Sequence, residues 1–236
     1  VRRVDRGTLI TIEGLDGAGK TTLAHALQRE LAVRAASERP VELLREPGGV
    51  EVSERIRALV KDPALELLAR TEVLLYAAAR AQLVEERVRP LLGDGAVVLL
   101  DRFVDSSLAY QGGGRALGVE QVRAINQFAT GGLTPDRTLL LRISPAQGRA
   151  RQLERARQGE GARQGEGARQ GEGARQGGEP REPDRLEREG EEFYAVIATA
   201  YEQLAADEPE RIRVIDASRP PRQVLDDALA AVEDLL

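Results

Sequence analysis

The chain has 236 residues, 42% of them hydrophobic, with no cysteine and a net charge of −5. That length suits one core with an inserted lid, the acidic balance argues against a general nucleic-acid binder, and the lack of cysteine excludes disulfides, thiolate metal sites and a cysteine nucleophile. No apolar run reaches the roughly 20 residues that cross a bilayer, and VRRVDRG runs into a strand without a signal-peptide core, so a soluble, cytoplasmic protein with no membrane partner is expected.

Thr8 to Glu13 (TLITIE) reads as the first strand. Gly14 to Thr22 (GLDGAGKTT) then matches GxxxxGK[ST], with Leu15, Asp16, Gly17 and Ala18 in the variable positions and Gly19, Lys20, Thr21 and Thr22 closing it. Glycines at such a place let successive N–H groups turn inward on phosphate oxygens, and the helix that follows adds its positive end. Lys20 can reach the β- and γ-phosphates of a nucleotide and Thr21 can join a Mg²⁺ shell. Only Lys20 and Lys61 are lysines in a chain otherwise served by arginine. Leu23, Leu27 and Leu31, at i, i+4 and i+8, mark the helix.

Further strands are expected at Val41 to Arg45, Ala96 to Asp101, Thr138 to Ile143 and Ile212 to Asp216, with helical patterns between them. Apolar strands alternating with helices predict a three-layer α/β fold, with a parallel sheet of about five strands flanked by helices. Its site should lie beyond the carboxyl ends of the strands. Asp101, after four apolar residues, can hold Mg²⁺ as a Walker B carboxylate does; the other reading is a cap for the next segment. Arg102 follows it and could clamp a phosphate with two parallel hydrogen bonds. Tyr76 and Arg80, four apart on a helical stretch, share a face; they could be a core residue and a partner of Glu72 or Glu85.

The stretch LLDRFVDSSLAYQGGGR, Leu99 to Arg115, resembles the signature of thymidylate kinases: Asp101, Arg102, Phe103, Ser106, Ala109, Tyr110 and Gln111 all match. EGLDGAGKTT, REPGG at Arg45 to Gly49, EVLLYAAARAQL at Glu72 to Leu83 and PDRTLLL at Pro135 to Leu141 follow the same order. The likeness is to bacterial-type members and implies a P-loop kinase that passes the γ-phosphoryl of Mg·ATP to dTMP, giving dTDP and ADP, as a homodimer. It also implies roles. Tyr76, where relatives often have phenylalanine, would stack on thymine and Arg80 would bond the base. Tyr110 would close against the sugar, Gln111 would read the base edge, and Ser106 and Ser107 belong to the same pocket. Asp16 would lie near the acceptor sugar and phosphate, although a turn aspartate bonding its own backbone fits equally. Asp216-Ala217-Ser218 resembles the loop near adenine, and Ser218 could instead cap the helix that follows.

Relatives whose phosphate loop lacks arginine draw the cation for the transferring phosphoryl from a mobile lid, expected here over residues 149–190 of a single 1–236 kinase domain. Arg155, Arg157 and Arg185 are the framework candidates for that cation. Between them lies the six-residue unit ARQGEG, given three times from Ala156 and broken off by 178. With two glycines per unit, no large apolar side chain, and successive arginines about 240° apart on a helix, it is expected to be a flexible, tolerated insertion. Its own Arg163, Arg169 or Arg175 is the alternative donor. Two rival functions remain: another nucleoside monophosphate kinase of this fold, and a catalytically weak P-loop nucleotide-binding regulator.

Overall fold

The computed structural model describes residues 7–34, 39–154, 157, 185–186 and 189–236. Five parallel strands form its sheet: β1 (Thr8–Gly14), β2 (Val41–Arg45), β3 (Val97–Asp101), β4 (Arg137–Arg142) and β5 (Ile212–Asp216), in the order β2-β3-β1-β4-β5. Each observed strand lies within one residue of its expected bounds. Ile12 pairs with Asp101, Arg45 with Asp101 and Gly14 with Leu141, so the carboxyl ends lie side by side. β1 leads left to β2 and β3 leads right to β4, which puts a crevice between β1 and β3, where such sheets bind ligands.

Helices cover both faces. On one face, α1 (Lys20–Arg34) puts Leu23, Leu27 and Leu31 against Ile10, Ile12, Leu99 and Leu139, joined by Leu225 and Leu229 of the carboxyl-terminal helix Pro221–Val232. On the other face lie α2 (Glu51–Lys61), α3 (Ala69–Leu83), which continues through a π-helical turn, Val84–Val88, into α4 (Arg89–Gly93), α5 (Val104–Ser107) and α6 (Val119–Thr130). Here Leu9, Val98 and Leu100 meet Leu83, Val88 and Phe103. The switch of faces between Leu9 and Ile10 is the period of two expected of a strand. Residues 145–154 form α7, and α8 is Glu191–Asp207. No helix among the described residues is long and apolar enough to cross a membrane.

Two features hold the segment after β3 in place. Arg211 grips Asp105 of α5 through both terminal nitrogens, at 2.7 and 2.9 Å, and Asp105 also accepts from Thr138 of β4. Asp105 is buried and Arg211 partly so, and both carboxylate oxygens are engaged, the condition under which a buried charge is tolerated. Next, Leu108–Gly114 is π-helical although it holds three consecutive glycines. A Cβ on Gly113 would sit 2.9 Å from Ala200 and one on Gly114 2.7 Å from Phe193, so the glycines admit α8 at close range. The closeness seals Tyr110 against Tyr201 and Phe193, edge to face.

Candidate active site

The chain leaves β1 at Gly14 with φ 134° and turns again at Gly17, φ 83°. A Cβ on Gly17 would lie 2.2 Å from the Gly148 carbonyl of α7, so glycine is required there on two counts. Lys20 heads α1 and reaches back over the loop, its Nζ donating to the carbonyls of Gly14 at 3.0 Å and Leu15 at 2.8 Å. Burial, then the Arg102 cation nearby, pulls its pKa down to about 8. Next to it the Thr21 hydroxyl donates to Asp101 Oδ2 at 2.8 Å. Asp101 therefore meets the phosphate loop and does not cap α5, whose first turn has no side-chain cap.

Arg102 takes φ 72°, a conformation rarely held by residues other than glycine. That turn aims its guanidinium at the crevice, where Nη2 donates to Asp16 Oδ1 at 2.5 Å and to the Tyr110 hydroxyl at 3.3 Å, and Nη1 to Ser106 Oγ at 3.0 Å. The guanidinium also lies over the Tyr110 ring, 5.0 Å from its centre. Tyr110 in turn donates to Asp16 Oδ2 at 3.1 Å. Burial opposes ionisation of Asp16, but Arg102 and then Lys20 hold it down to about 2. Asp16 is thus tied to the segment after β3; the reading of it as a plain turn aspartate gave no place for these partners.

Beneath this cluster lies Glu13, fully buried and not singled out by the sequence, where it reads as the end of a strand. It accepts from the backbone N–H groups of Phe103 and Ser106, from the Ser106 hydroxyl at 2.5 Å and from the Tyr201 hydroxyl at 2.9 Å. Burial, and then the Asp105 charge, raises its pKa. Glu13 fixes the loop carrying Arg102, with Ser106 as the link between the two.

The far wall comes from α3. Arg80 is buried and donates to Glu46 at 2.7 Å, to Ser107 Oγ at 2.9 Å, to the Phe103 carbonyl at 2.8 Å and to Asn126. Neither carboxylate offered for it by helical spacing is its partner: Glu85 pairs with Arg89 and Glu72 with arginines 115 and 185. Burial outweighs the attraction of Arg80 and raises Glu46 to about 7. Tyr76 is half-buried and lines the cleft, so it is not a core residue. One cleft of about 780 Å³ runs from Gly17, Gly19, Lys20 and Thr21 past Asp101 and Arg102 to Tyr76, Arg80, Tyr110 and Gln111. The size suits small-molecule ligands.

Arg157 is helical and exposed, while Arg155, Arg163, Arg169, Arg175 and the repeat at 156–178 lie outside the described residues, apart from Arg157 itself. Arg185 turns to Glu72, 2.5 Å away. Arg151 of α7 donates to the Ala217 carbonyl at 2.9 Å, tying α7 to the loop after β5. In that loop Ser218 donates to Asp216 from both N–H and hydroxyl, and the helix that follows starts after Pro220 with no side-chain cap, so the capping offered as the alternative for Ser218 is not realised. Its short side chain satisfies the nearer carboxylate first. Pattern reading passed over Glu46 and Asn126, took Glu13 only as a strand end and offered Glu72 only as a partner for Arg80; the signal available was that Glu13, Glu46 and Glu72 all stand inside matched segments.

Residues 12–171 match the family described as thymidylate kinase. The thymidylate kinase of Oenococcus oeni is 43% identical over 234 residues, covering 98% of this chain and 97% of the relative. That of Deinococcus radiodurans is 42% identical, covering 98% of each. Among solved structures, thymidylate kinase from Ehrlichia chaffeensis matches with a TM-score of 0.71 at 23% identity, over 97% of this chain and 99% of the other, a likeness of fold.

Proposed function

The chain belongs to the thymidylate kinase family, and from that premise we propose how its residues divide the transfer of the γ-phosphoryl group of ATP to dTMP, which gives dTDP and ADP. The Gly14–Thr22 loop holds the ATP phosphates through its backbone N–H groups, with Lys20 as the mobile cation over them. Arg102 clamps the acceptor phosphate. Its present partners, Asp16 and Tyr110, hold it at the junction between the two substrates, so little ordering remains for binding to complete. Tyr76 stacks on the base, Arg80 and Gln111 bond its edge, and Tyr110 covers the sugar where a 2′-hydroxyl would need room.

Thr21 and Asp101 bring a hydroxyl and a carboxylate into contact at the mouth of the loop, a hard-oxygen pair suited to Mg²⁺. Among the described residues no cluster of three or more His, Cys, Asp or Glu could cage a metal. Mg²⁺ needs no such cage, since it keeps waters and substrate phosphates around it. Bound there, it would neutralise phosphate charge. Phosphoryl transfer needs no covalent intermediate, so the remaining task is one more cation near the transferring group. Arg185 already faces Glu72, which favours Arg155 or Arg157 of the 149–190 lid for that role.

Exposed Leu74 on α3 and Phe128 on α6, at 57% and 92%, support a homodimer joined over those helices. Phosphorylated nucleotides as substrates support a cytoplasmic location, and the net charge supports the absence of a nucleic-acid partner. The observation that carries the reading is the shared cleft: Lys20 and Thr21 of the donor loop and Arg102, Tyr76 and Gln111 of the acceptor wall line one cavity. Incubation with γ-labelled ATP tests it. Label should move to dTMP and stop when EDTA removes divalent metal; label released only as inorganic phosphate would refute it.

A further inference from the structure

Glu72 is wholly buried near the start of α3, one turn before Tyr76 and two before Arg80. Neither its burial nor its partners follow from phosphoryl transfer. Its Oε1 accepts from Gln111 Nε2 at 2.7 Å and from Arg115 Nε at 3.4 Å. Its Oε2 faces Arg185 Nη2 at 2.5 Å and Arg115 Nη2 at 3.3 Å. Arg115 is held in turn by Glu189 at 2.6 Å and by the Phe193 ring at 4.7 Å. A buried carboxylate is tolerated when cations meet it, and two do so here.

A carboxylate facing two guanidinium groups offers acceptors only. The Gln111 side chain must therefore present its NH₂ group to Glu72, because the flipped amide would set one acceptor oxygen against another. That leaves the Gln111 carbonyl oxygen as its acceptor toward the cleft that Gln111 lines. A carbonyl there takes an N–H donor. Thymine and uracil carry such a donor at N3; cytosine presents a lone pair at the same place. We infer that Glu72 is a positioning residue for acceptor choice: by fixing the Gln111 amide it makes the site accept bases with a protonated N3 and reject cytosine. Arg115 and Arg185 serve the same end by keeping Glu72 paired.

This inference rests on the reading of Gln111 as the residue that meets the base, and the test separates the two. KM and kcat for dTMP and dUMP, and the inhibition constant of dCMP against dTMP, are measured for the intact protein, Glu72→Gln and Gln111→Met. Glu72→Gln can accept or donate toward Gln111, so the amide is no longer held one way. The expected result is a loss of roughly tenfold in preference for dTMP over dCMP, carried by a higher KM for dTMP and dUMP together, with kcat changed less. Gln111→Met should lose the same preference. If Glu72→Gln lowers turnover with the preference kept while Gln111→Met loses it, Glu72 is only a structural ion-pair partner and the inference fails, though Gln111 still reads the base. Preference kept in both variants would overturn the inference together with the placement of Gln111. Should Glu72→Gln not fold, Glu72→Asp, which keeps the charge but withdraws it from Gln111, is judged by the same criteria.

Discussion

Arg102 shows how one residue links fold to chemistry. Its left-handed backbone is a strained choice, sustained because Glu13 accepts from the next N–H and the guanidinium gains Asp16, Ser106 and Tyr110. Arg102→Met keeps much of the side-chain volume but removes the clamp, and kcat/KM for dTMP should fall by about a hundredfold or more. Steady-state ADP release measures this; a loss under threefold would exclude the clamp role. Glu46 makes a pH prediction. Its pKa rises from 4.5 unfolded to about 7 folded, so the folded state keeps a proton that the unfolded chain releases. Stability due to this group is therefore greatest below about pH 4.5 and declines as pH rises toward 7. Thermal unfolding of the intact protein should lose ground to Glu46→Gln across that window, and a constant difference between the two would contradict the assignment.

At the scale of elements, the phosphate loop and α7 are joined backbone to backbone. A Cβ on Gly17 would meet Gly148 and one on Gly148 would come 2.6 Å from the Asp16 carbonyl. Gly17→Ala should push the loop off α7 and weaken ATP binding by at least about tenfold, read by calorimetry with a non-hydrolysable ATP analogue; unchanged affinity would show that the contact is dispensable. The loop, the five strands and the Asp101–Arg102 step were legible in sequence because each is local: a motif between a strand and a helix, or an apolar run ending in a charge. Glu13 and the partner of Arg80 were not, since each depends on which strand ends meet. Helical spacing offered Arg80 the carboxylates of its own helix, whereas packing supplied Glu46 from the loop after β2. Three glycines in a row disfavour a helix, and the close approach of α8 accounts for their place in that helical stretch.

At the scale of the molecule, everything assigned to substrate binding gathers at the carboxyl ends of β1, β2 and β3, where a parallel sheet with this strand order opens. The ARQGEG repeat follows the strands that carry that machinery, and all of it but Arg157 lies outside the described residues. Removing Ala162 to Gly173, two whole units whose loss leaves Arg155 and Arg157 in place, should leave dTMP turnover within about threefold of the intact chain, as the insertion expected there costs little to shorten. A tenfold fall would instead make the array part of the working lid. The most direct measurement is coupled ADP release by the intact chain with dTMP, dUMP, dCMP and AMP offered in turn as acceptor. The highest kcat/KM should belong to dTMP, with AMP the poorest; preference for AMP, or no turnover of dTMP, would contradict the assignment of this cleft to thymidylate.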